Sequence, residues 1–128
     1  MKLVVIESPY AGDVFKNLTY VRACMRDCLL QNEACLASHA LYTQDGVLND
    51  FLAAERKLGM EAGFAWNRYA DLVCVYADLG ISDGMREGIK RARLNGTKIV
   101  VRYLGLPWST HAKSYDDVAA YNSLEELY

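Results

Sequence analysis

Residues 72–89 read LVCVYADLGISDGMREGI. Leu72 to Tyr76 is apolar at every position, which is the signature of a strand covered on both faces of a sheet rather than on one. Between Tyr76 and Ile89 the chain carries Asp78, Asp83 and Glu87, the glycines 80, 84 and 88, and Ser82. A plain connector needs one turn residue and one cap, so this density of small and acidic residues marks a ligand-holding loop. Apolar spacing then becomes helical over Gly84 to Leu94, with Ile81, Met85, Ile89 and Ala92 inward, and Asn95-Gly96 ends the helix. Lys98 to Tyr103 (KIVVRY) is the next strand. A strand, a helix and a strand in this order imply a parallel pair joined by a right-handed crossover.

The same rhythm runs outward. Lys2 to Ile6 (KLVVI) reads as a first strand, and Asp13 is placed to cap a helix over Val14 to Gln31. Ala34 to Ala37 reads as a short second strand, and Asn49 to Ala70 as a long helix broken near Gly59. After Pro107 and Trp108, a last helix is expected near Asp117 to Leu127. With no linker, repeat or low-complexity segment, residues 1–128 are expected to form a single α/β domain. Its expected architecture is doubly wound, Rossmann-like or flavodoxin-like, with a mostly parallel sheet and helices on both faces.

Bulk properties narrow the partners. The net charge of −2 gives no electrostatic case for polymeric nucleic acid or an anionic membrane. No apolar run approaches the roughly 20 residues of a membrane span. The opening MKLVVIESPYAGD has too short an apolar core for a signal peptide, so a cytoplasmic location is expected. Cys24, Cys28, Cys35 and His39 make a C-x3-C-x6-C-x3-H pattern that suggests zinc. However, Cys24 and Cys28 lie one helical turn apart beside Val21, where small thiols pack well, and the second pair lacks knuckle spacing. No metal site is expected.

In parallel sheets ligands bind beyond the carboxyl ends of the strands. Three loops therefore matter: Ser8 to Asp13 (SPYAGD), Ser38 to Tyr42 (SHALY) and Asp78 to Arg86 (DLGISDGMR). Ser82 or Asp83 can cap the following helix, whose first-turn N–H groups suit an anion. A Walker motif and GxGxxG are both absent, and glycines four apart do not match the dinucleotide fingerprint.

This arrangement, with SPYAGD after the first strand, SH after the second, Glu55-Arg56 and Trp66 on the long helix, and then ADLVCVYADLGISDGMREGI, resembles the nucleoside 2-deoxyribosyltransferase superfamily. That superfamily includes the 2'-deoxynucleoside 5'-phosphate N-hydrolases, and the chain looks closest to small uncharacterised members. The similarity covers about residues 2 to 104. It implies breakage or exchange of an N-glycosidic bond in a (deoxy)nucleoside or (deoxy)nucleotide by a carboxylate nucleophile, without metal or cofactor. By position it implies Glu87 as nucleophile with Tyr10 assisting; Glu61, Glu55 or Asp78 would replace a missing helical acid, and Asp78, just past a strand end, is the one chosen. Ser8, Gly12, Asp13, Ser82 and Gly84 are the expected sugar and phosphate contacts, and His39 and Trp66 the expected base contacts. It also implies a homo-oligomer in which a tail such as SLEELY closes a neighbour's pocket.

Two departures stand out. Glu87 is one residue out of register with the family's helical glutamate, and it lies about 200° around the helix from Met85. The family's helical aspartate falls on Gly63. Bland roles also compete: Glu87 can pair with Arg91, Asp78 can form a turn, and Trp66 can pack in the core. A second reading is therefore a nucleotide-binding or sensing module that keeps the pocket without the catalysis.

Overall fold

The strand that begins the chain lies inside the sheet rather than at its edge. β1 (Lys2–Glu7) pairs with β2 (Glu33–Leu36) on one side and β3 (Leu72–Tyr76) on the other. Beyond β3 come β4 (Lys98–Tyr103) and β5 (Lys113–Tyr115), giving the order β2-β1-β3-β4-β5. All pairings are parallel except β4 with β5. The helices are α1 (Val14–Leu30), α2 (Ser38–Leu41), α3 (Ala53–Ala65) and α4 (Asp83–Leu94), with a 3-10 turn at Asn67–Tyr69. This computed structural model describes residues 1–106, Trp108 and 113–115. The helix expected near Asp117 to Leu127 and the tail SLEELY lie outside the described residues.

The expected doubly wound α/β sheet is present, but the long helix expected to Ala70 ends at Ala65 with a 3-10 turn after it, and the SHALY loop is in part the short helix α2. α3 starts four residues later than expected and is unbroken at Gly59. Before it, Asn49 Oδ1 accepts the Phe51 N–H at 3.0 Å, and Glu55 Oε1 accepts the Asn49 N–H at 3.2 Å. These local bonds compete with helix hydrogen bonding and hold residues 49–52 as a turn. The antiparallel β5 was not anticipated. Among the described residues no helix is long and apolar enough to cross a membrane.

Strand alternation sorts the core into two faces. Val4, Ile6, Cys74, Tyr76 and Val100 pack with Tyr20, Val21, Cys24 and Cys28 of α1. Val5, Val73, Val75 and Val101 pack with Met85, Ile89 and Ala92 of α4. Two positions follow by counting in twos. Arg102, two beyond Val100, falls on the α1 face. Glu7, two beyond Val5, falls on the α4 face.

The order of strands reverses at β1. The chain leaves it for β2 on one side and returns as β3 on the other, which opens a crevice at the carboxyl ends of β1 and β3. Gly80 closes the turn over this edge at φ +85, a left-handed conformation that favours glycine, and its N–H reaches Ala77 O at 3.0 Å.

Candidate functional site

A cavity of about 280 Å³ occupies that crevice, at the small end of the range for ligand pockets. All three predicted loops reach it. Ser8, Tyr10 and Ala11 line it from the β1 exit, Ser38, His39, Tyr42 and Thr43 from α2, and Ser82, Asp83, Gly84 and Met85 from the start of α4. Asp50, Glu55, Arg56, Met60 and Phe64 close the side formed by α3 and the turn before it.

Glu7 is the acid at the floor. Its position at the end of β1 and its place on the α4 face turn the carboxyl toward the inner stripe of that helix. α4 carries Gly88 on this stripe, between Met85 and Ala92. A Cβ built at Gly88 would lie 2.9 Å from Glu7 Oε2 and nearer still to Cδ and Oε1, so the glutamate occupies the space a side chain at 88 would need. Gly63 repeats the device: a Cβ there would lie 2.7 Å from Cβ of Ser38, which fills the space from α2. Gly63 and Gly88 are thus both covered by side chains from the strand exits. Among the described residues no hydrogen bond reaches the Glu7 carboxyl, and burial pushes its pKa up to about 8.

Beside it, Ser8 Oγ and His39 Nε2 lie 2.6 Å apart. Burial pulls the imidazole down to about 4, so it is neutral at pH 7 and exchanges a hydrogen bond rather than a charge with the serine. Ser82 caps α4, its Oγ accepting the Met85 N–H at 3.2 Å. Arg56 is held by Asp50, with Nη1 2.6 Å from Oδ2.

Of the sequence-predicted residues, Ser8, Tyr10, His39, Ser82 and Gly84 come together around the cavity. Five do not line it. Glu87 pairs with Arg91 at 3.3 Å on the half-exposed side of α4, as its angle from Met85 requires. Asp78 turns to the opposite face, where it accepts the Tyr20 hydroxyl at 2.6 Å and the N–H groups of Leu104 and Gly105, each at 2.9 Å. It is a clamp between strand exits. Trp66 is 48% exposed and stands behind the wall, its indole N–H donating to Tyr42 Oη at 3.0 Å. Gly12 adopts φ +97 in the loop, and Asp13 caps α1 by accepting the Lys16 N–H at 3.1 Å. The zinc-like pattern splits as well: Cys24 and Cys28 are core residues, while His39 bonds Ser8.

Sequence reasoning passed over Glu7. A signal was available: the step of two from Val5, and a glycine on the inward stripe of α4 opposite a strand exit. Glu55 and Arg56, for which a helix-surface pair and a pocket role compete in the sequence, both line the cavity.

The family model described as a domain of unknown function (DUF7768) matches residues 2–102. No curated protein matches the chain. Among solved structures, a 2-deoxyribosyltransferase from the psychrotolerant bacterium Bacillus psychrosaccharolyticus is similar with a TM-score of 0.62 and 10% identity, over 81% of this chain and 74% of that one. The CMP N-glycosidase BcmB of Clostridium botulinum gives a TM-score of 0.49 and 14% identity over 99% of this chain and 100% of that one. At 10% identity the first of these likenesses establishes a shared fold.

Proposed function

We propose that this chain, which belongs to the DUF7768 family, cleaves or exchanges the N-glycosidic bond of a small nucleoside or nucleotide, with Glu7 as the reacting carboxylate. The observation that carries the reading is the placement of Glu7. It is a carboxyl desolvated by burial in the crevice, seated over Gly88 on the inward stripe of α4. The fold shared with a 2-deoxyribosyltransferase supports the reaction class.

The chemistry follows from charge. As the C1'–N bond breaks, its electron pair leaves with the base and the sugar becomes cationic. An ionised Glu7 stabilises that cation or closes on C1' as an ester, and water or a second base then breaks the ester bond. The departing base takes up a proton, for which the phenol of Tyr10 on the same wall is the proposed donor. Ser8 and His39 hold a hydroxyl of the sugar between them. Because the resting carboxyl is neutral at pH 7, turnover rises as the pH is raised through about 8.

The test is incubation with a panel of deoxynucleosides, ribonucleosides and their monophosphates, following free base by chromatography. Wild type is expected to release base from at least one of them. Glu7→Gln is expected to lose about 100-fold or more of that rate. Absence of release across the panel, or equal release by Glu7→Gln, counts against the assignment. A rate that falls as the pH is raised through about 8 would make Glu7 the proton donor instead.

One feature favours a second reading. With glycine at 63 where the resemblance places an acid, and Glu87 turned away to Arg91, the chain also suits a module that binds a nucleotide without cleaving it. Thermal stabilisation by a ligand from the panel with no base release would select this alternative.

A further inference from the structure

Resting on that reading of the cavity, we infer that it selects an uncharged nucleoside and turns away a 5'-phosphate, with Asp50 and Asp83 as the specificity-determining residues. A phosphate monoester carries about −1.5 to −2 charges at pH 7 and only accepts hydrogen bonds once ionised. Two features of the cavity wall would ordinarily hold it: a guanidinium and a helix N-terminus. Each is already answered by an acid.

Arg56 is the one full cation among the described residues that line the cavity. Its Nη1 lies 2.6 Å from Asp50 Oδ2, and the Asp50 carboxylate is only 20% exposed. The pair is closed, so a phosphate would have to displace a carboxylate that is part of the wall. At the start of α4 one first-turn donor is already used, since Ser82 Oγ accepts the Met85 N–H at 3.2 Å. The next residue is Asp83, in the first turn at the mouth, with its carboxylate fully in solvent and Arg86 no nearer than 3.7 Å. Its charge opposes the positive end of the helix where a phosphate would enter. Glu55 adds a third carboxylate to the lining, with Oε1 accepting the Asn49 N–H at 3.2 Å. His39 is neutral at pH 7 and adds no cation. Carboxylates facing a ligand accept hydrogen bonds from sugar hydroxyls and exocyclic amines, which a nucleoside supplies.

Calorimetry with 2'-deoxyadenosine, 2'-deoxycytidine, thymidine and 2'-deoxyguanosine, each against its own 5'-monophosphate, tests the selection. In wild type the best-bound nucleoside is expected to bind about tenfold or more tightly than its monophosphate. Asp83→Asn, whose fully exposed side chain puts little folding stability at stake, should move that ratio about five- to tenfold toward the monophosphate. Asp50→Asn should move it further by freeing Arg56. Both shifts should shrink in high salt. A monophosphate bound as tightly as its nucleoside by wild type overturns the inference, and so does a ratio that neither variant moves. If the monophosphate binds better and loses its base, the glycosidic reading survives without the selection. If neither member of any pair binds, both fail.

Discussion

On the α1 face of the sheet, Glu33 meets Arg102 through two contacts of 2.6 and 2.7 Å, and Asp27 accepts the Tyr76 hydroxyl at 2.6 Å. Glu33, Asp27 and Arg102 are all nearly inaccessible to water. On the α4 face, Glu7 faces a cavity and is bonded to nothing among the described residues, with its pKa pushed up to about 8. Both faces draw acids in from bulk water, Asp27 and Glu33 into the core and Glu7 to the lining of a cavity. One surrounds its acids with donors, so their contacts serve the fold. The other withholds donors, so the proton is retained and the group is poised for a ligand. What separates a structural acid from a functional one here is the supply of partners, since both are desolvated.

Substitutions can break that contrast. The largest expected effect is on the paired face: Arg102→Ala strands Glu33 as a buried, uncompensated charge and should cost about 3–5 kcal/mol in urea unfolding. A loss below about 1 kcal/mol would show that water reaches the pair. Asp78→Ala should rank next, at about 2–3 kcal/mol, because it removes the acceptor of the Tyr20 hydroxyl and of two backbone N–H groups together. Thermal unfolding should show a clear drop, with base release reduced only as far as folding is.

Glu7→Gln should invert the pattern, with activity lost and stability kept. The sign of its pH dependence follows from linkage. The folded pKa, about 8, lies above the ordinary 4.5, so the folded chain binds the extra proton between those values. Stability from this group is complete below about pH 4.5 and is lost as the pH rises through 8. Wild type should therefore weaken relative to Glu7→Gln as unfolding is repeated from pH 5 to pH 9. Parallel curves would mean that water or an unseen donor already solvates the carboxyl. The smallest effect belongs to Glu87→Ala, which removes a half-exposed pair worth no more than about 0.5 kcal/mol. Its base release should match wild type, and a loss comparable with that of Glu7→Gln would move the reacting carboxylate back to position 87.

Much of the fold was legible because it is written locally. The apolar runs at residues 2–6, 72–76 and 98–103 lie within the observed strands, and the stripe Met85, Ile89 and Ala92 is the buried face of α4. The convergence of Ser8, Tyr10, His39 and Ser82 followed from strand order alone. What stayed illegible depends on partners far apart in sequence. Asp78 has the look of a catalytic residue, sitting at a strand exit in a polar loop, until Tyr20 and the β4 exit are seen to claim both of its oxygens. Arg102 and Glu33 give no local hint of a buried pair. They meet because β1 and β3 set β2 and β4 apart by a fixed sheet width that the two side chains span, and only the assembled register defines it.

By itself, then, the chain specified its periodicities, its caps and the edge of the sheet where a ligand belongs, because those rest on neighbours within a few residues. Which acid enters the crevice was decided only on assembly. The parity of β1, set by its pairing with β3, aims Glu7 at α4, and the angle of α4 presents Gly88 rather than Glu87 to receive it. A side chain's direction is a local property, but whether it meets a donor, a cavity or water is fixed by what packs opposite, and that is a property of the whole fold.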